Sequence, residues 1–172
     1  MDAHRRVAVV TGAARGSGRR VALTLAEHGY AVAANDLEAP EYTLEELKGT
    51  GADTLSLPGD VSDEGAVRGM VEVVIDKLER VDVLVNNAGI SLISPAEKTA
   101  LSDWQRVLEV NLTGPFLMCR EFGREMLEQG SGSIVNVSSV AGLLGVGALV
   151  LPARYYSSGR LPLTSAVEPR SA

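Results

Sequence analysis

Short aliphatic runs and amphipathic stretches alternate along most of this chain. Val7–Val10, Ala31–Ala34, Thr54–Leu57, Val81–Val85 and Ser133–Val137 are each four or five residues long, and the first, second and fourth are almost free of polar residues. Runs of that length and character predict strands, the purest of them buried on both faces. Between them, Val21, Ala22, Leu25 and Ala26 share one face of a helix over Ser17–His28 that Gly29 closes. Tyr42–Lys48 reads as a shorter helix. Val67, Met70, Val71, Val74 and Leu78 recur at helical spacing behind Ser62, a cap candidate, with Asp63 and Glu64 in the first turn. A long helical region runs from about Ser102 to Gln129, interrupted near Gly114-Pro115. The order βαβαβαβαβ predicts a doubly wound α/β domain: a five-stranded parallel sheet with right-handed crossovers.

The pattern fades after Leu151. Ala153–Ala172 holds Pro162, Pro169, four serines and three arginines with no sustained period, so residues 1–152 are expected to form the domain and 153–172 an irregular tail. A six-stranded dinucleotide-binding sheet needs at least one more βα unit than is visible. The expectation is therefore a chain whose C-terminal βα units are missing, its end lost or recoded. Ser133–Val137 is then an open edge prone to self-association or homo-oligomer formation.

Composition narrows the function classes. At 172 residues, 45% of them hydrophobic, the chain suits one domain with a real core. A formal charge of −6, with no basic cluster beyond Arg15, Arg19 and Arg20, argues against nucleic-acid or anionic-membrane partners. No apolar run approaches membrane-spanning length and none forms a signal-peptide core, so a cytoplasmic protein is expected. Cys119 is the single cysteine; its neighbours Phe116, Leu117 and Phe122 predict a buried structural thiol rather than a nucleophile. No metal site is expected.

Candidate chemistry gathers where strands end. In Val7–Gly18 an apolar strand passes through Gly12, Gly16 and Gly18 directly into a helix. Glycines there allow a tight turn, close approach of backbone to phosphate and close packing of helix on strand, while the helix turns its unpaired N–H groups toward an anion. Such triplets also occur in ordinary loops. Asp36 follows the second strand, 24 residues after Gly12, about where an acid reaches the adenosine ribose of a dinucleotide. Its charge would repel a 2′-phosphate, favouring NAD over NADP, although Arg15 could reach a phosphate and pulls weakly the other way. Asn86-Asn87-Ala88-Gly89 follows the fourth strand and Asp60-Val61 the third, both at the carboxyl edge where ligands of doubly wound sheets bind. A turn and a helix-start acid are the plainer accounts of these two.

Five segments, in register, resemble the short-chain dehydrogenase/reductase family: Thr11–Gly18 (TGAARGSG), Asp60-Val61, Asn86–Gly89 (NNAG), Asn111 within Glu109–Leu112 (EVNL), and Ser133–Ser139 (SIVNVSS). The likeness extends from about Arg5 to Gly147, and chance agreement of five ordered segments is negligible. It implies a Rossmann-type fold and hydride transfer between a nicotinamide cofactor and a secondary alcohol or ketone. It further implies that the loop Gly12, Arg15, Gly16, Ser17, Gly18 holds the cofactor's phosphates and that Asp36 holds its adenosine ribose. Asp60 and Val61 would flank the adenine, and Asn87, Ala88 and Gly89 would line the groove. Asn111 and Ser139 match the family's catalytic Asn and Ser.

The family completes its site with a Tyr and a Lys four residues apart, usually about a dozen residues past the Ser. Here thirteen residues past Ser139 stands Pro152, and no Tyr-x-x-x-Lys occurs in the chain. The nearest match is Tyr156-Ser-Ser-Gly-Arg160, which begins seventeen residues after Ser139. Arginine keeps the charge but not the compact ammonium or its shiftable pKa. Tyr156 is the candidate acid/base on this basis, with Asn111 and Ser139. Three functions fit this sequence: an NAD-dependent oxidoreductase, a catalytically impaired NAD-binding module, and a half-site that depends on a partner chain.

Overall fold

The computed structural model describes residues 5–139. Its elements are β1 (Val7–Thr11), α1 (Gly16–Glu27), β2 (Ala31–Asp36), α2 (Glu41–Gly49), β3 (Thr54–Pro58), α3 (Glu64–Leu78), β4 (Val83–Asn86), α4 (Leu101–Leu108), α5 (Gly114–Glu128) and β5 (Ser133–Asn136). The strands form one sheet in the order β3-β2-β1-β4-β5, every neighbouring pair parallel. The expected doubly wound Rossmann-type architecture is thus observed. Because the chain runs outward from β1 to β2 and β3, then crosses back to β4, a crevice opens at the carboxyl edge between β1 and β4.

Alternation along β1 and β2 divides the core in two. On one face Val7, Val9, Ala31 and Ala33 meet Met70 and Val74 of α3 and Met118 and Phe122 of α5. On the other, Val10, Val32 and Ala34 meet Ala22 and Ala26 of α1 and Leu44 and Leu47 of α2. The fully buried Phe122, Leu47 and Leu84 each contribute roughly 1.5–3 kcal/mol of apolar burial. Small Ala residues on β2 and α1 let that helix lie close to the sheet.

Several local expectations are corrected. The cap of α3 is Asp63, whose carboxylate accepts from the Ala66 N–H at 2.7 Å; the Ser62 hydroxyl instead donates to Asp60. β4 begins at Val83, two residues later than predicted. Val81 is buried, but Asp82 stands at the sheet's entry, its carboxylate accepting from the Val7 N–H. The interruption of the long helical region is a π-helical turn, Glu109–Thr113, and Pro115 lies in the first turn of α5. Leu108, Thr113 and Gly114 all keep right-handed helical dihedrals, so the chain passes through the widened turn to Pro115 without leaving its helical path. β5 is not buried on both faces among the described residues: Ile134 is half-buried, while Val135 and Val137 are each 46% exposed. Cys119 is half-buried rather than buried. Burial raises its pKa and the Asn86 amide only partly offsets this, which makes it a poor thiolate.

Candidate functional site

The carboxyl ends of β1, β2, β3 and β4 converge on one crevice. At the exit of β1 the backbone turns at Gly12, with φ +65°. A Cβ on Gly12 would lie 2.8 Å from the Ala88 Cα. A Cβ on Gly18 would press into the Gly12 carbonyl group and the Asn87 amide. Gly16 faces open space, but its φ of +58° favours glycine. The three glycines therefore serve backbone approach, helix packing and conformation respectively. Arg15, extended at the head of α1, makes no side-chain cap, and the first turn holds no acid. The N–H groups of Gly16, Ser17 and Gly18 lack intrahelical acceptors by geometry, and Gly16 and Ser17 are exposed beside the loop while Gly18 is buried, a favourable setting for an anion.

The side chains of Asn87, Thr11 and Asp36 help to fix this loop. The Asn87 amide donates to the Thr11 and Gly12 carbonyls at 2.9 and 3.2 Å. The Thr11 hydroxyl accepts from the backbone N–H groups of Asn87 and Ala88. Asp36, at the end of β2, accepts from the Ala14 N–H through Oδ2 and from its neighbour Leu37 through Oδ1, each at 2.9 Å. Asn87 thus holds the loop in shape, and Asp36 sits directly beside it. Ala88 is half-buried and Gly89 exposed at the mouth of the crevice.

Beyond β3, Asp60 accepts twice from Ser62, from Oγ at 2.6 Å and from the N–H at 2.9 Å, and once from Arg106 of α4 at 2.6 Å. Burial opposes its charge, but these hydrogen bonds outweigh burial and hold the carboxyl below its ordinary pKa. Val61 is buried against Gly114, where a Cβ would approach Val61 Cγ2 to 2.8 Å. In the π-helical turn, Asn111 grips the backbone of Ile90 from both sides: Oδ1 accepts from its N–H at 2.9 Å and Nδ2 donates to its carbonyl at 2.8 Å. Gly89 lies against the same carboxamide, its ideal Cβ position 3.4 Å from Asn111 Oδ1.

The glycine loop, Asp36, Asp60, Val61, Asn87, Ala88, Gly89 and Asn111 all therefore border this edge. Ser139 is exposed just beyond β5. Tyr156 and Arg160 lie outside the described residues. Two residues of the site escaped the sequence: Thr43 of α2, which bonds the loop carbonyls, and Arg106. Neither belongs to a spaced motif, and a threonine or arginine on an amphipathic helix carries no distinguishing signal. Among the described residues no group of His, Cys, Asp and Glu could hold a metal ion, and no helix is long and apolar enough to cross a membrane. A cavity of about 430 Å³ lies at the opposite, amino edge, lined by Arg5, Asp53, Lys77 and Arg80 among others. Its cations are paired with acids.

Fold and site together define a doubly wound α/β protein with a glycine-loop crevice at the switch point of its sheet. The chain belongs to the short chain dehydrogenase family, whose model matches residues 6–158. It is 41% identical over 141 residues to 3-oxoacyl-[acyl-carrier-protein] reductase FabG of Staphylococcus aureus, an alignment covering 80% of this chain and 57% of the relative. It is also 41% identical over 138 residues to D-threitol dehydrogenase of Mycolicibacterium smegmatis, covering 79% of this chain and 53% of that protein. The crystal structure of a short-chain type dehydrogenase/reductase from Mycobacterium marinum superposes with a TM-score of 0.84 at 31% identity, over 91% of this chain and 64% of that one. The chain thus spans somewhat more than half the length of these curated relatives.

Proposed function

We propose that the crevice binds a nicotinamide dinucleotide, NAD in preference to NADP, for an oxidoreductase reaction between a secondary alcohol and its ketone. The glycine loop carries this proposal: a Cβ at Gly12 or Gly18 would collide with Ala88, Asn87 or the Gly12 carbonyl, so only glycine lets the turn pack this tightly, and the uncapped start of α1 follows at once. Those features fit a pyrophosphate. Gly12, Arg15, Gly16, Ser17 and Gly18 hold the phosphates, and Asp36 the adenosine ribose. Asp60 and Val61 flank the adenine; Asn87, Ala88 and Gly89 line the remaining groove. The names of the relatives, reductases and dehydrogenases, support the reaction class.

When bound, the cofactor supplies the hydride acceptor or donor. Ser139 orients the substrate oxygen, Asn111 steadies the chain at Ile90, and Tyr156 exchanges the proton. A phenol has a pKa near 10 unless a neighbouring cation favours the phenolate. In this chain Pro152 stands thirteen residues past Ser139 and Tyr156 seventeen past it, and Arg160 brings the charge without lysine's compact ammonium, so weak or absent turnover with persisting binding is expected. Calorimetric titration with NAD and NADP, run beside an assay on a panel of secondary alcohols, tests both parts. Saturable NAD binding with little turnover is expected. Equal or tighter NADP binding would reassign Asp36, and turnover abolished by Tyr156→Phe would establish a working acid/base.

A further inference from the structure

We propose that Arg106 is the positioning residue of the adenine subsite, holding the Asp60 carboxylate so that one oxygen keeps acceptor capacity for the exocyclic amine of adenine. This rests on the dinucleotide-binding function proposed above. A carboxylate offers about four acceptor sites, two on each oxygen. Asp60 Oδ1 accepts two hydrogen bonds, both from Ser62. Oδ2 accepts one, from Arg106 Nη2, and the side chain remains 28% exposed. One acceptor site on Oδ2 is left at the carboxyl edge, close to where Val61 packs on Gly114.

The guanidinium is itself held in place. Its Nη1 donates to the Ser62 hydroxyl at 2.9 Å and lies 3.5 Å from Glu109 Oε2. Arg106, Ser62 and Asp60 therefore close a ring of charge-assisted hydrogen bonds in which each member fixes the next. Glu109 is also the first residue of the π-helical turn that carries Asn111. The loop after β3 and the turn that grips Ile90 thus share one anchor on α4. A lysine could supply the charge to Asp60 but not the fork that bonds Asp60 and Ser62 together.

The discriminating ligand is nicotinamide hypoxanthine dinucleotide, in which a carbonyl oxygen replaces the 6-amino group. That oxygen would face the Asp60 carboxylate acceptor to acceptor. The wild-type chain is expected to bind NAD roughly tenfold more tightly than this analogue, the value of one hydrogen bond to a charged group. In Arg106→Met, which keeps the apolar stem, the ratio is expected to fall to within about twofold, with Arg106→Lys intermediate. Ser62→Ala, which removes the other side of the ring, should lower the ratio as well and serves if the arginine variants fold poorly. A purely structural loss would weaken both dinucleotides alike and leave the ratio unchanged. The proposal is overturned if wild type does not distinguish the two ligands, or if folded Arg106→Met and Ser62→Ala keep the full preference. Failure of wild type to bind either dinucleotide would remove the underlying function and this proposal with it.

Discussion

The Thr43 hydroxyl donates to the Ala13 carbonyl at 2.8 Å and approaches the Ala14 carbonyl at 3.3 Å, so helix α2 clamps the glycine loop from below. Thr43 is fully buried. The same two loop residues donate their N–H groups to the end of β2, Ala13 to the Asn35 carbonyl and Ala14 to Asp36. Valine at position 43 would keep the shape but leave a buried carbonyl unsatisfied, at a cost of about 1–3 kcal/mol. Thr43→Val is expected to lower stability by that amount in urea denaturation and to weaken NAD binding. Unchanged stability and affinity would show that the clamp does not shape the loop.

The glycines should fail in different ways. Gly18→Ala forces a methyl group into the Gly12 carbonyl and is expected to destabilise the fold by about 1–3 kcal/mol or more while abolishing dinucleotide binding. Gly16→Ala meets nothing within 4 Å but keeps a φ of +58°, so strain of about 1 kcal/mol with residual binding is expected. Thermal unfolding of the two variants checks this order, and the reverse order would contradict the packing described here.

Asp36→Asn retains one acceptor oxygen but removes the charge. The repulsion between a carboxylate and a 2′-phosphate is on the order of 1–4 kcal/mol between water-like and surface dielectrics. The variant is therefore expected to gain roughly tenfold or more in its NADP-to-NAD affinity ratio. A ratio that does not move would mean that Arg15 or another group governs the choice.

Acid should weaken the loop after β3. Asp60 is held below its ordinary pKa in the folded state, since hydrogen bonds from Ser62 and Arg106 overcome the opposing effect of burial. Its contribution to stability is fully present above the unfolded value of about 3.9 and is lost as pH falls through the lower folded value. Asp60→Asn should accordingly be less stable than wild type at pH 6, with the gap narrowing toward pH 3. Denaturation curves across that range test this; a gap independent of pH would show that the charge does not matter.

Much of this arrangement was legible in the chain itself, and the exceptions have physical causes. β1 and β2 could be read because strands covered on both faces need near-continuous apolar runs, and the loop because Gly12, Gly16 and Gly18 each answer a different steric demand. The sequence offers Ser62 as the cap of α3 although Asp63 fills it: adjacent residues are both competent, and backbone dihedrals decide between them. Gly114-Pro115 reads as a break because proline disrupts helix interiors, and the structure places a π-helical turn directly before it while the helical path continues into α5. The apolar run places Val81 in β4, whereas its burial comes from its position at the sheet's entry rather than from pairing. Thr43 and Arg106 were invisible because their importance arises only when α2 and α4 are packed against loops distant in sequence.

The proposed NAD site lies at the carboxyl edge of β1 and β2. Backbone amide chemical shifts followed by NMR during an NAD titration test it most directly. The amides of Gly12, Ala14, Gly16, Ser17, Gly18 and Asp36 are expected to shift saturably, while those of Arg5, Lys77 and Glu79 around the cavity at the opposite edge stay in place. Shifts confined to that opposite cavity, or none at saturating NAD, would contradict it.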